Sequence, residues 1–89
     1  VISRTTERFR RAFARLPPPI QAQARQAYRR FRENHLQPGL RFKQVVPDID
    51  VYSVRVSRGY RALGRLEGEE IVWFWIGSHA EYEKLLAQL

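Results

Sequence analysis

The chain has 89 residues, 44% of them hydrophobic and 12% aromatic, with sixteen Lys and Arg against nine Asp and Glu for a net charge of +7. A single domain of this size (1–89) buries only about 60–65% of its unfolded surface, which excludes a large internal active-site cavity and leaves any chemistry to a surface groove. With no cysteine, disulfides and thiolate chemistry are excluded, and two histidines make a metal site a poor expectation.

In chain order, Thr5 or Thr6 can cap a first helix whose apolar stripe is Phe9, Phe13 and Leu16. Arg4, Arg8, Arg11 and Arg15 form a separate, wet stripe. Pro17-Pro18-Pro19 ends that helix, and a proline suits the first turn of the next. There Ile20, Ala24, Ala27, Tyr28 and Phe31 share a face, with Arg25, Arg29 and Arg32 opposite. Two such helices make an αα-hairpin. His35 reads as a helix C-terminal residue, and Pro38-Gly39 closes this half.

The second half reads as strands. Leu40–Val46 is strand-like, and Pro47–Asp50 is a turn. In Val51–Val56, Tyr52, Val54 and Val56 face one way, Ser53 and Arg55 the other. Ser57-Arg58-Gly59 leads tightly into Tyr60–Leu66, and Glu67-Gly68-Glu69 is a hairpin loop. Ile71–Ile76 is apolar on both faces, which marks the most interior strand, with Trp73 and Trp75 as core filling. Ser78 and Glu81 have the spacing of a capping box, followed by Tyr82, Leu85, Leu86 and Leu89 at helical spacing. His79 and Tyr82 then fall in the first turn of a short C-terminal helix, beside amides that favour anions. The fold class is α+β: a helical hairpin packed on a small antiparallel sheet, with a short C-terminal helix.

Fourteen of the sixteen cations are arginine. Guanidinium forks onto phosphate and stacks on bases, so nucleic acid or an acidic protein is the expected partner; arginine-favouring codon usage is the bland alternative. No apolar run approaches the roughly 18 residues that cross a membrane, and no apolar stretch follows the basic N-terminus, so a cytoplasmic setting is expected. The chain starts at Val1, and a few residues of a first strand are expected to be missing before it.

The run YSVRVSRGYRALGRLEGEEIVWFWIGSHAEYEKLL, after two basic helices, resembles the RelE/ParE superfamily of toxin–antitoxin toxins. The Y-x-V-R-V strand followed by G-Y-R, and the strand end at Gly77 followed by H-x-x-Y, carry the resemblance. It implies an antiparallel sheet flanked by two N-terminal helices, and an acidic antitoxin as partner. RelE-like members cleave mRNA in the ribosomal A site by attack of the 2′-hydroxyl on the adjacent phosphate, with no metal or cofactor. ParE-like members inhibit DNA gyrase instead.

The resemblance assigns candidate roles residue by residue. Arg61 matches the arginine aimed at the scissile phosphate, where developing charge suits a bidentate donor. Arg55 matches the second lysine of a K-x-K pair, and Ser53 stands where the first would be. Arginine holds phosphate but does not give up its proton, so this departure also admits a degenerate toxin that only binds its antitoxin. His79 is the acid–base candidate. Tyr82 is an auxiliary that stacks or donates, or else simply packs in the core. Arg41, Lys43, Arg58 and Arg65 border the expected groove as phosphate-backbone contacts.

Overall fold

The computed structural model of the chain describes residues 2–88. Val1, where the chain starts, and Leu89, expected in the C-terminal helical stripe, lie outside the described residues. The elements run β1 (Ile2–Thr5), α1 (Glu7–Ala14), α2 (Pro18–Glu33), a 3-10 turn (Pro38–Leu40), β2 (Lys43–Val46), β3 (Val51–Ser57), β4 (Tyr60–Glu67), β5 (Glu70–Ser78) and α3 (His79–Gln88).

The strands form one sheet in the order β1-β5-β4-β3-β2. Four of them are antiparallel, as expected. The fifth, β1, joins the edge parallel to β5, pairing Ile2 with Glu70 and Thr5 with Trp73. Four residues of mixed polarity ahead of a cap carry too little alternation to stand out as a strand, and the sheet is mixed for that reason. With β1 in place the middle strand is β4, and β5 lies second from the edge.

Thr6 is the cap of α1: its Oγ1 accepts from the Phe9 N–H at 3.1 Å. Thr5 belongs to β1, where its carbonyl and hydroxyl accept from Arg10 at 2.8 and 3.0 Å. Arg10 thereby covers part of an edge strand that would otherwise invite pairing. At the other edge, Gln44 Nε2 donates to the carbonyls of Val46 and Ile49 at 3.3 and 3.2 Å. Gln21 seals the break between the helices by donating to Phe13 and Leu16 carbonyls, both at 3.1 Å.

α1 and α2 cover one face of the sheet. Their contact is a core of Leu16, Ala27, Phe31, Leu40, Val54, Ala62, Ile71, Trp73 and Ile76. Phe31 organises it, packing edge-on to Trp73 at 5.3 Å and to Phe42 at 5.2 Å. α3 covers the other face over a smaller core of Val51, Leu63 and Tyr82, with Leu85 and Leu86 packed beside them. Leu63 and Ile71, on opposite faces of the sheet, are completely buried.

Register shifts break the β2–β3 ladder between Gln44 and Val46, the β3–β4 ladder between Arg55 and Ser57, and the β4–β5 ladder, and two strands depart from what the sequence leads one to expect. The register of β5 shifts between its pairing with Leu63 and with Gly64, so Leu63 faces Trp75 while Gly64 faces Trp73. Phe74 is the extra residue of this bulge, and it turns Trp73 and Trp75 to opposite faces where strict alternation would stack them on one. The second departure is at β2. The expected strand Leu40–Val46 begins only at Lys43, because Leu40 is buried at the end of the 3-10 turn. Among the described residues Arg41 is the only non-glycine with positive φ, at 48°.

Candidate active site

The α3 face of the sheet brings the candidate residues into rows. Arg55 of β3, Arg61 of β4 and Gly77 of β5 are cross-strand neighbours. The next row is Lys43, Ser53, Leu63 and Trp75. Neighbours in a row share a face, with Cβ atoms roughly 4.5–5.5 Å apart.

Arg61 is half-buried and firmly held. Its Nη1 donates to the carbonyl of Ser57 at 2.8 Å, of Tyr60 at 3.0 Å and, at the limit of contact, of Arg58 at 3.4 Å. The β3–β4 turn thus anchors one nitrogen, and the rest of the planar fork is free to meet an anion. Burial lowers its pKa first, then the like charge of Arg55; Tyr82 acts in the opposite sense, and Arg41 lowers it further. Arg41, Arg55 and Tyr82 are therefore all near enough to be felt by this guanidinium. Like charges close enough to depress a guanidinium are ones that a phosphate would relieve.

β5 ends at Gly77, and its small size is required. A Cβ there would sit 2.7 Å from Trp75 Cζ2 and 3.3 Å from Glu81 Oε1. The strand can therefore hand over at once to α3, and the His79 N–H donates to the Gly59 carbonyl at 2.8 Å. This bond ties the head of α3 to the turn that carries Arg61. The His79 ring stacks on Tyr82 with centroids 5.7 Å apart, and Tyr82 packs on Trp75 at 6.4 Å. His79 Nε2 lies 3.0 Å from Glu83 Oε1, one helical turn on. The Tyr82 ring is buried, with 7% exposure, and belongs to the smaller core as well as to the wall of the site.

The expected free amides at this helix end are largely occupied. The capping box forms: Glu81 Oε1 accepts from Ser78 N–H at 3.2 Å and from Ser78 Oγ at 2.9 Å, and Ser78 Oγ accepts from Glu81 N–H at 3.2 Å. With the His79 amide also bonded, the helix brings its own carboxylate to this end, so the free donors at this face are guanidinium groups rather than helix amides.

Not every candidate joins the cluster. Arg65 shares the face but stands four residues along β4 from Arg61, about 13 Å at ~3.4 Å per residue. Arg58 is exposed in the β3–β4 turn. Lys43 lies beside Ser53 in register, and Ser53 is buried at 2% exposure. His35 packs on the opposite side of the sheet against Phe31 and Phe42. Among the described residues, no three His, Cys, Asp or Glu converge as metal ligands would. A concavity of about 840 Å³ is on the α1–α2 side of the sheet, with Phe9, Phe13, Tyr28 and Trp73 in its walls and Arg4, Arg10, Arg25, Arg29 and Arg32 around them. Trp73, 6% exposed, has an indole N–H that finds no partner among the described residues. The arginine row lies on the opposite face of the sheet from this groove. Sequence reasoning missed both the groove and the part played by Trp75. The bulge that turns Trp75 to the α3 face leaves no mark in the hydrophobic pattern.

A helical hairpin behind a small sheet, with a short helix on its front, is the architecture of the small RelE/ParE toxins of toxin–antitoxin modules. The family model of the ParE-like toxin domain matches residues 18–84, and the chain belongs to that family. Its structure is similar to that of the RelB-RelE antitoxin–toxin complex from Methanococcus jannaschii, at 13% identity and TM-score 0.74 over 92% of this chain and 96% of that one. It is similar to the YoeB/ParE toxin from Agrobacterium tumefaciens, at 12% identity and TM-score 0.70 over 89% and 99%. The RelBE2 toxin–antitoxin complex from Mycobacterium tuberculosis matches at 26% identity and TM-score 0.62 over 88% and 96%. No curated protein sequence matches the chain. Among the described residues no helix is long and apolar enough to cross a membrane.

Proposed function

We propose that this toxin is a ribosome-dependent endoribonuclease that cuts mRNA by attack of a 2′-hydroxyl on the adjacent phosphate. The observation that carries this reading is the Arg55–Arg61 pair held beside the His79-bearing head of α3. Arg61, anchored through Nη1, presents its remaining donors to the phosphate oxygens, where charge builds in the phosphorane; Arg55 adds a second guanidinium. His79 takes the proton of the 2′-hydroxyl. With Nε2–H donating to Glu83, Nδ1 carries the lone pair that accepts it. Tyr82 holds the imidazole by stacking. Every one of these groups belongs to the chain itself.

The partner in this reading is an acidic antitoxin, acting in the cytoplasm. Its amphipathic helix suits the groove on the α1–α2 side, where an apolar floor of Phe9, Phe13 and Tyr28 is rimmed by arginines. Complexes with RelB among the similar structures support an antitoxin of this kind.

The family model's ParE-like description favours one other reading, an inhibitor of DNA gyrase that cuts nothing. Mapping RNA 5′ ends after induction separates the two. New ends inside codons of translated messages support the ribonuclease. Growth arrest with unaltered 5′ ends and inhibited supercoiling would replace it with the gyrase reading.

A further inference from the structure

Cutting a phosphodiester with a 2′-hydroxyl needs two proton movements, one off the attacking oxygen and one onto the departing 5′-oxygen. His79 serves the first of them in the ribonuclease reading. The guanidinium groups of Arg41, Arg55 and Arg61 cannot serve the other, because arginine keeps its proton at any working pH. Of the chain's two lysines, Lys84 is exposed on α3 and Lys43 lies on β2.

Lys43 is placed by register. It sits directly opposite Ser53, and Ser53 is two residues from Arg55 along β3. Lys43 therefore rises from the same face as the Arg55–Arg61 pair, on the diagonal from Arg55, roughly 7–8 Å away, a span that a lysine stem covers. Ser53 is short, so its own side chain takes up little of the space between Lys43 and the Arg55–Arg61 pair. Position 53 is also where the resembling pattern carries the first lysine of its pair. The ammonium that is missing from β3 is present on the adjacent strand, one hydrogen-bonded neighbour away.

We propose that Lys43 is a catalytic residue: its ammonium reaches the scissile linkage from β2, takes the place of the lysine absent at position 53, and protonates the leaving 5′-oxygen. This rests on the ribonuclease reading. The 2′-oxygen forms its bond to phosphorus as the P–O5′ bond breaks. The 2′-hydroxyl proton passes to His79, and a Lys43 proton passes to the 5′-oxygen. The products are a 2′,3′-cyclic phosphate and a 5′-hydroxyl. The imidazolium then returns its proton to solvent and the amine regains one.

The test is single-turnover cleavage of a ribosome-bound message, once with an ordinary A-site linkage and once with the bridging 5′-oxygen replaced by sulfur, whose thiolate leaves without a proton. Lys43→Met is an exposed-strand change, and circular dichroism checks its fold. We expect it to slow the ordinary message by roughly 10²-fold and to cut the sulfur-bridged one at close to the wild-type rate. His79→Gln, acting on the attacking side, stays slow on both. Adding Ser53→Lys to Lys43→Met moves the ammonium one strand over and restores part of the lost rate. A Lys43→Met protein as fast as wild type, or equally slow on the two messages, overturns the assignment while leaving the ribonuclease reading in place. A wild type that cuts neither message overturns both.

Discussion

The two faces of the sheet are built to different rules. On the α1–α2 face, nine buried residues interlock around Phe31 and Trp73, and the open part of that face is an apolar groove. On the α3 face, among the described residues, the buried hydrophobics of the core are Val51, Leu63 and Tyr82, and the strand positions around them carry Lys43, Arg55, Arg61 and Arg65. The first face uses its side chains for stability. The second holds several like charges side by side, an arrangement that costs stability and that a bound anion would relieve. A domain this small separates the two tasks by putting them on opposite sides of one sheet, so a change on one face should leave the other largely untouched.

The largest effects should come from the arginine row. In the ribonuclease reading, Arg61→Ala removes the anchored donor to the phosphate, and cleavage should fall by about 10³-fold, the scale seen on deleting a single oxyanion donor. The melting temperature should move little, since the lost contacts are turn carbonyls that water can satisfy. Cleavage that survives at the wild-type rate would remove Arg61 from the site. Next, His79→Gln should slow cleavage by about 10²-fold or more if the imidazole transfers a proton. Its stacking on Tyr82 is at the surface of the smaller core, so folding again reads as unchanged. Rate and thermal stability, measured on both variants, either keep the two faces independent or show them coupled.

The converse experiment acts behind the sheet. Gly64 lies on the α1–α2 face of β4, and a Cβ there would meet Ile71 Cγ1 and Trp73 Cε3, both at 2.8 Å. Both neighbours are buried, so neither can swing away. Gly64→Ala should therefore destabilise the protein by about 1–3 kcal/mol, as overpacking does. Cleavage per folded molecule should stay close to normal. Denaturant unfolding with a parallel activity assay would show it, and a loss of activity at full folding would mean that the faces communicate through β4.

The sequence made the two faces unequally legible. Helical and strand periodicity marked α1, α2 and β3, because each buries one regular stripe against a core, turn signals bounded β4, and β5 stood out as a run apolar on both faces. Ser78 and Glu81 announced the head of α3, and the resemblance placed Arg55, Arg61 and His79. What it hid was tertiary. β1 is four residues long and draws its order from pairing with β5. Trp75 turns to the α3 face only because of a register shift within β5. Arg41 adopts its left-handed backbone because Leu40 before it is buried and Phe42 after it stacks on Tyr52 at 4.8 Å. The groove exists only once α1, α2 and the sheet are assembled.

The smallest expected effect tests the seam between the faces, where β5 becomes α3. The backbone N–H and then the hydroxyl of Ser78 hold the Glu81 carboxyl below its ordinary pKa. A depressed carboxyl contributes stability that is fully present above its unfolded value, about 4.3, and is lost as pH falls through the folded one. Ser78→Ala removes the hydroxyl but keeps the backbone donor. At neutral pH it should cost about 0.5–1 kcal/mol, the range for losing a cap. Below about pH 4 the gap between wild type and variant should narrow, because protonated Glu81 no longer rewards the hydroxyl bond. It should not close, since Ser78 Oγ also accepts from the Glu81 N–H at every pH. Thermal melts of the two proteins from pH 7 to pH 3 read this directly. A gap that stays constant with pH would mean that the Ser78 hydroxyl does not hold the Glu81 carboxylate, and that the cap acts only through the Glu81 N–H.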